Sequence, residues 1–478
     1  MPPTKRPLGG NCALSLLSRL ISALVLLGLG LSPLHAQPSS GKNALFAAAD
    51  PAQRVVYRGA ALIDGASDDI RRDMAVITKG ARIEAVVATR DLGPELLADA
   101  QIIDLAGAYL LPGLIDDHQH LATPPDSKAA RAQMRRDIYG GITAVRIMAD
   151  DLRSIADLNR QATTGEIEGP DLYFAALMAG PSFFADPRTR AASGGMVPGT
   201  APWMQEVTGA TDLPLAVAMA RGTGASGIKL YADLSGPLMA RITAEAHRQG
   251  MAVWAHGMVF PTPPAEVIAS GPDVISHTCY LAYQLSNPRP KLYQDRFPVD
   301  YAKFEGGYTP EMAALFAEMK QRNIILDPTL WVYAETDKRA AANPGGKPYH
   351  CTLDLAAQLT NQAYRAGVAL AAGTDGFTPW NAPYSALHDE LELLATRAKL
   401  PPIAVIRAAT LVGARTIGRE KDMGSIEPGK LANLVVVEKN PLESIANLRS
   451  VRFTVKMGRR YDRTDYRPIS RDEIPADD

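Results

Sequence analysis

From Tyr109 to Thr374 the chain repeats one alternation, a short apolar run followed by a longer amphipathic stretch. The runs are Tyr109–His120, Ala144–Met148, Leu172–Met178, Gly227–Tyr231, Ala252–His256, Val274–His277, Ile324–Leu330 and Val368–Thr374. Most are apolar at successive positions, the texture of a strand buried on both faces. The stretches between them, Leu238–Gln249 and Pro310–Arg322 among them, read as helices with one apolar face. Eight strands alternating with helices predict an α/β fold, a (β/α)8 barrel of the TIM type over residues 110–418.

Outside this middle the texture changes. Val55–Ile63 reads as a strand, and Met74–Val87 as a hairpin turning at Lys79-Gly80. Leu434–Val437 reads as a buried strand, and Val451–Tyr461 as a second hairpin turning at Met457-Gly458. Two β-rich ends around a barrel predict a small β-sandwich domain that both chain ends build, residues 37–109 and 419–478. At the start, Lys5, Arg6 and Arg19 precede an apolar run from Leu20 to Leu31, and Ser-Pro-Leu-His-Ala-Gln follows. That order predicts a signal peptide over residues 1–36, cleaved after Ala36, and a periplasmic or secreted mature protein. The run is short for a membrane span, so no stable span is expected once it is removed.

Composition narrows the function classes. Of 478 residues, 46% are hydrophobic and 21% charged, as in a globular protein. The net charge of −1 gives no bulk attraction for nucleic acid or an anionic membrane, so no nucleic-acid partner is expected. Three cysteines make no disulfide framework: Cys12 falls in the signal, and Cys279 and Cys351 are read as free thiols.

Chemistry in such a barrel sits where strands end. The first run closes on Asp116-Asp117-His118-Gln119-His120, and residues two apart on a strand share a face. His118 and His120 therefore read as metal ligands, with Asp116 as the candidate to orient one ring. Lys229 stands mid-strand in Gly-Ile-Lys-Leu-Tyr, where burial disfavours its ammonium. Pairing would neutralise it, and so would reaction with carbon dioxide to an anionic carbamate able to bridge two cations. His256, His277 and Asp375 close three more runs. Four of the eight histidines thus fall on one rim, with a lysine and an aspartate. Of the others, His247 and His350 show no role, and His388 opens a helix shortly after Asp375.

With Leu-Pro-Gly-Leu-Ile-Asp-Asp-His-Gln-His, Gly-Ile-Thr-Ala-Val-Arg, Gly-Ile-Lys-Leu-Tyr, Trp-Ala-His-Gly, Gly-Thr-Asp-Gly and the tail Gly-Ser-Ile-Glu-Pro-Gly-Lys-Leu-Ala-Asn-Leu-Val-Val-Val, the chain resembles the amidohydrolase superfamily. It is most similar to the branch that holds imidazolonepropionase-like proteins and bacterial prolidases. The resemblance implies a binuclear centre of two divalent metal ions, with zinc expected. His118, His120 and Asp375 would hold the buried ion, His256 and His277 the outer one, and carboxylated Lys229 would bridge them. It departs from the branch at Ser193-Gly194-Gly195-Met196, where Gly-Gly-His is frequent, and at Asn433, where an acid is usual.

The implied activity is hydrolysis of an amide bond in a short peptide or N-acyl amino acid, with a hydroxide between the metals as nucleophile. Asp375 would move the proton and Tyr231 would donate to the developing oxyanion. A homo-oligomer is expected. A lactonase or phosphotriesterase would use the same six ligands. A deaminase generally needs one metal and no bridging lysine, and a non-catalytic binding protein would have lost ligands.

Overall fold

The computed structural model describes residues 50–475 apart from Pro124, Tyr308 and Lys347, so the expected signal, residues 1–36, lies outside the described residues. Its strands in chain order are β1 (Arg54–Leu62), β2 (Arg71–Lys79), β3 (Arg82–Ala88), β4 (Ala100–Asp104), β5 (Tyr109–Pro112) and β6 (Leu114–Gln119). Then come β7 (Ile142–Ile147), β8 (Asp171–Ala179), β9 (Thr200–Ala201), β10 (Met204–Glu206), β11 (Gly227–Leu230) and β12 (Ala252–His256). The last are β13 (Val274–Ser276), β14 (Ile325–Asp327), β15 (Leu434–Val437), β16 (Val451–Lys456) and β17 (Arg459–Asp462). No helix among the described residues is long and apolar enough to cross a membrane.

The barrel is β6-β7-β8-β11-β12-β13-β14, each strand parallel to the next. The eighth run, Val368–Thr374, makes a single bridge, Leu326 to Leu370, and is no full strand. It still closes the ring. Its backbone bonds Leu326 of β14 on one side, and Ala372 O accepts from Asp117 N of β6 at 2.9 Å on the other. Gly373 allows that approach, because a Cβ there would lie 2.7 Å from His118 Cβ and 2.6 Å from Asp327 Oδ1.

One apolar layer plugs the barrel: Ile115, Ala144, Ala175, Trp254, Val274, Ile325 and Ala371 meet Val412 and Met423 from below. Two residues further along, on the same face, stand His256, Ser276 and Asp327, and Lys229 stands beside Trp254 in the register of β11 and β12. The period-2 pattern thus raises a polar layer directly on the apolar one.

The tract Tyr109–His120, expected as one strand, is two. Gly113 divides β5 from β6, and the two belong to different sheets. β5 joins the sheet of the chain ends, ordered β17-β16-β15-β5-β1-β2-β3 with β4 also on β1. The sheet curls enough that Tyr57 of β1 and Phe453 of β16 bring their rings to 6.0 Å. Their faces close a separate core with Leu62, Val76, Leu110, Leu434 and Val455. Asn433 belongs here, its Oδ1 accepting from Met457 N at 2.8 Å.

The cysteines correct the expectation of free thiols. Cys279 and Cys351 form a disulfide, their Cα atoms 6.1 Å apart. Separation along the chain hid this, since the fold lays the segment before the helix Leu353–Ala366 against the helix Thr278–Leu281 that follows β13.

Candidate metal centre

Asp375 ends the eighth run and sets its carboxylate among three imidazoles. Oδ1 lies 3.2 Å from His118 Nε2 and 3.4 Å from His120 Nε2, and Oδ2 lies 3.6 Å from His277 Nδ1. One ligand atom each from His118, His277 and Asp375 lie within 4.8 Å of one another, close enough to hold one cation. The His256 ring stands 4.9 Å from that of His277, and its Nδ1 is buried without a hydrogen-bond partner among the described residues. Lys229 is 1% exposed on the neighbouring strand. The structure therefore gathers all six expected ligands at one rim. His277 (φ 71°), Thr329 (φ 53°) and Asp375 (φ 47°) adopt left-handed backbone, which costs ~1–3 kcal/mol per residue and concentrates at sites that need a special geometry.

The charges suit a cation. Burial drives the His256 and His277 imidazoles well below their ordinary pKa, so both are neutral donors. Burial would raise Asp375, but His118 and His277 override it and hold the carboxylate well below its usual range. Burial brings the Lys229 ammonium down to about 7. It would also lower His120, yet the bonds to Asp150 and Asp375 prevail and lift its pKa to about 9.

Asp327 is the residue sequence reasoning missed. Its Oδ2 lies 2.9 Å from His118 Nδ1, from Ser276 Oγ and from Arg146 Nη2. It turns His118 Nε2 toward Asp375, the part the sequence gave to Asp116. A register shift in β6 between Asp116 and Gln119 is the reason. The bulge brings Asp117 onto Thr416 and His118 onto Asp327 together, and leaves Asp116 to Gln119 and Thr374. An acid closing the apolar run Ile-Leu-Asp was the available signal. Asp150 serves His120 similarly, Oδ1 at 3.4 Å from Nδ1, while Thr329 binds His277 Nδ1 at 2.9 Å.

Above the ligands opens a cavity of about 490 Å³. Tyr231 lines it, its hydroxyl 3.2 Å from that of Tyr293 and its ring 4.1 Å from His256. His350 lines it too, stacked on Tyr280 at 5.0 Å, a placement its loop gave no sign of. His388 does not reach it, and is buried with Nε2 2.8 Å from Gly140 O. His247 pairs with Asp273 at 2.9 Å, away from the site. Met196 is exposed and lines none of it.

The family model for the amidohydrolase family matches residues 109–460, a span that holds every one of these ligands. The chain belongs to the amidohydrolase family. Membership makes it a metal-dependent hydrolase acting on carbon–nitrogen bonds. Its amidohydrolase relatives include a 5-methylthioadenosine/S-adenosylhomocysteine deaminase from Symbiobacterium thermophilum, 26% identical over 81% of this chain and 85% of the other. An imidazolonepropionase from Solibacter usitatus is 26% identical over 78% of this chain and 88% of its own. Among solved structures, an A. niger ochratoxinase superposes with a TM-score of 0.68 at 22% identity, covering 88% of this chain and 99% of its own. A Xaa-Pro dipeptidase with bound methionine gives 0.65 at 21%, covering 86% and 100%. At those identities the solved structures speak for the fold.

Proposed function

We propose that this amidohydrolase cleaves the amide bond of a small peptide or N-acyl amino acid, with two divalent cations, zinc by preference. The observation that carries the reading is the convergence of His118, His120 and His277 on Asp375, beside a buried His256 Nδ1 that no group among the described residues satisfies. Imidazole nitrogen and carboxylate oxygen suit zinc, and an orphaned buried acceptor nitrogen suits a ligand position. His118, His120 and Asp375 would hold one ion, His256 and His277 the other, and Lys229 as its carbamate would lie between. When bound, the ions polarise the scissile carbonyl and acidify a water.

The chain's own groups do the rest. Asp375 accepts the water's proton and returns it to the departing nitrogen, because an amine leaves poorly unless protonated. Tyr231 donates its hydroxyl to the carbonyl oxygen as charge develops there. Asp327 and Asp150 fix which nitrogen of His118 and His120 faces the site. The buried Lys229 favours this reading over a deaminase with one metal.

Asp375→Asn tests it. At matched metal occupancy the variant should lose far more rate on a dipeptide than on an activated ester, since only the amide needs the returned proton. Equal losses remove the proton role. A wild-type enzyme that opens lactones or phosphotriesters and leaves amides intact would sink the reading itself.

We also infer export. The charged, apolar, small-residue order of residues 1–36 supports it, and so does the Cys279–Cys351 bond, which an oxidising compartment maintains. N-terminal sequencing of native material should begin near Gln37. A retained Met1 in cytoplasmic protein would overturn this.

A further inference from the structure

The cavity's lining is unbalanced in charge. Arg188, Arg296 and Arg339 face Asp375 as the one carboxylate among the described lining residues. Arg188 is neutralised where it stands, with Nη2 2.7 Å from Oδ2 of Asp186 and Nε 3.0 Å from Oδ1. Arg339 is exposed. Arg296 differs from both, because it is half-buried and its neighbours are phenols. Its guanidinium lies 3.9 Å from the Tyr293 ring centroid and 5.7 Å from that of Tyr280, and it donates to the Tyr280 hydroxyl. No carboxylate forms an ion pair with it among the described residues. These rings orient the cation without neutralising it. The Asp186 charge is felt at Arg296 but its oxygens are engaged by Arg188, so the Arg296 guanidinium keeps no ion pair of its own among the described residues, and its planar fork matches a carboxylate.

We propose that Arg296 is the specificity-determining residue, holding a free carboxylate of the substrate so that N-acyl amino acids and peptides with an open C-terminus are preferred. This rests on the reading of the site as an amide hydrolase. The span is right. The His256 ring lies 5.9 Å from that of Tyr293, and Tyr293 lies 3.9 Å from the guanidinium, so ligand and cation are separated by no more than about three residues of extended chain. Leu177, Phe183 and Met204 line the same cavity and suit an apolar side chain. The segment around Arg296 is already fixed: Tyr283 donates to Phe297 O at 2.6 Å, and Val299 N to His350 O at 3.0 Å. Substrate therefore meets a cation that needs little ordering.

The test uses metal-loaded full chain and two amides, N-acetyl-L-phenylalanine and N-acetyl-phenethylamine, which share the scissile bond and differ by the carboxylate. Wild type should favour the acid about 10- to 100-fold in kcat/KM, the range of a charge-assisted hydrogen bond. Arg296→Met keeps the apolar stem and should erase most of that ratio through KM, at unchanged metal content. Arg296→Lys restores charge without the fork and should fall between. Calorimetric titration with 3-phenylpropanoate, which carries the carboxylate and has no bond to cleave, reads the same contact without turnover, and Arg296→Met should weaken it by the same factor. Unchanged preference or unchanged binding in Arg296→Met would overturn the proposal. Binding lost in the variant, with neither amide turned over by wild type, would keep the carboxylate site and sink the reading of the substrate as an N-acyl amino acid or peptide.

Discussion

A single oxygen of Asp327 receives His118, Ser276 and Arg146, each at 2.9 Å. Asn would keep the shape, lose the charge and leave the fully buried Arg146 without a counter-ion. Asp327→Asn should therefore lower metal affinity about 10- to 100-fold and stability by ~3–5 kcal/mol. Metal titration and urea unfolding read the two separately, and unchanged affinity would end the orienting role. If Lys229 bridges as proposed, Lys229→Ala should lose most activity and part of the metal, and small carboxylates should restore some activity by entering the position its carbamate would leave. Full metal with normal turnover would make Lys229 a bystander. That the six candidate ligands would meet was legible because five stand at or next to the ends of apolar runs and Lys229 stands inside one, and the end of a barrel strand is where such groups converge. Asp327 was not, since a lone acid ending Ile-Leu-Asp looks like the edge of a core strand. Its exchange of roles with Asp116 depends on a bulge that a strict period of two conceals. Arg296 sits in a loop without periodicity, so only the folded cavity gives it meaning.

At the scale of elements, the helix Leu387–Thr396 docks through His388 onto the carbonyl of Gly140, between the helix Ser127–Tyr139 and β7. Burial holds the His388 pKa down at about 3, below the ordinary 6.5. Between those values the unfolded chain takes a proton that the folded one refuses, so this group's contribution is full above pH 6.5 and is lost as pH falls toward 3. Asp116 and Asp117, which burial raises to about 8 and about 7, act in the opposite sense, so wild type alone would blur the effect. His388→Gln keeps a donor for Gly140 and removes the titration. The stability difference between wild type and variant, from urea midpoints at pH 7.5 and 5, should shift in the variant's favour at the lower pH. A constant difference would exclude the effect. The disulfide acts on another element: it ties residues 348–352, which carry Tyr349 and His350 to the cavity, to the helix after β13. Serine at both Cys279 and Cys351 should cost ~2–5 kcal/mol of stability and raise KM, with kcat little changed at matched metal content. Unchanged KM would mean that the segment holds itself in place. Most strands were legible from short apolar runs. The eighth was overestimated, because its Ala-Ala-Gly tract is apolar yet bonds its neighbours at too few points to form a ladder.

Across the whole molecule, the first and last strands share one sheet. β5 pairs with β15, Leu111 opposite Val435, and the tail reaches further still, where Glu473 grips Arg135 of the helix Ser127–Tyr139 through two bonds of 2.8 Å. The two-ended sheet was legible as similar texture at both termini, while its curl and the tail's grip on the barrel were not, since neither leaves a periodic trace. This closure has a consequence in time. A chain made from its N-terminus carries β5 and every ligand residue long before β15 exists, and until then β5 is an open edge. Pairing across so much sequence is slow to find and is favourable only once both partners are present. The chain thus stays unlatched through most of its synthesis, the loose state that the export proposed above would require. A strand made after every residue of the site, rather than the site itself, sets the moment at which the enzyme locks shut.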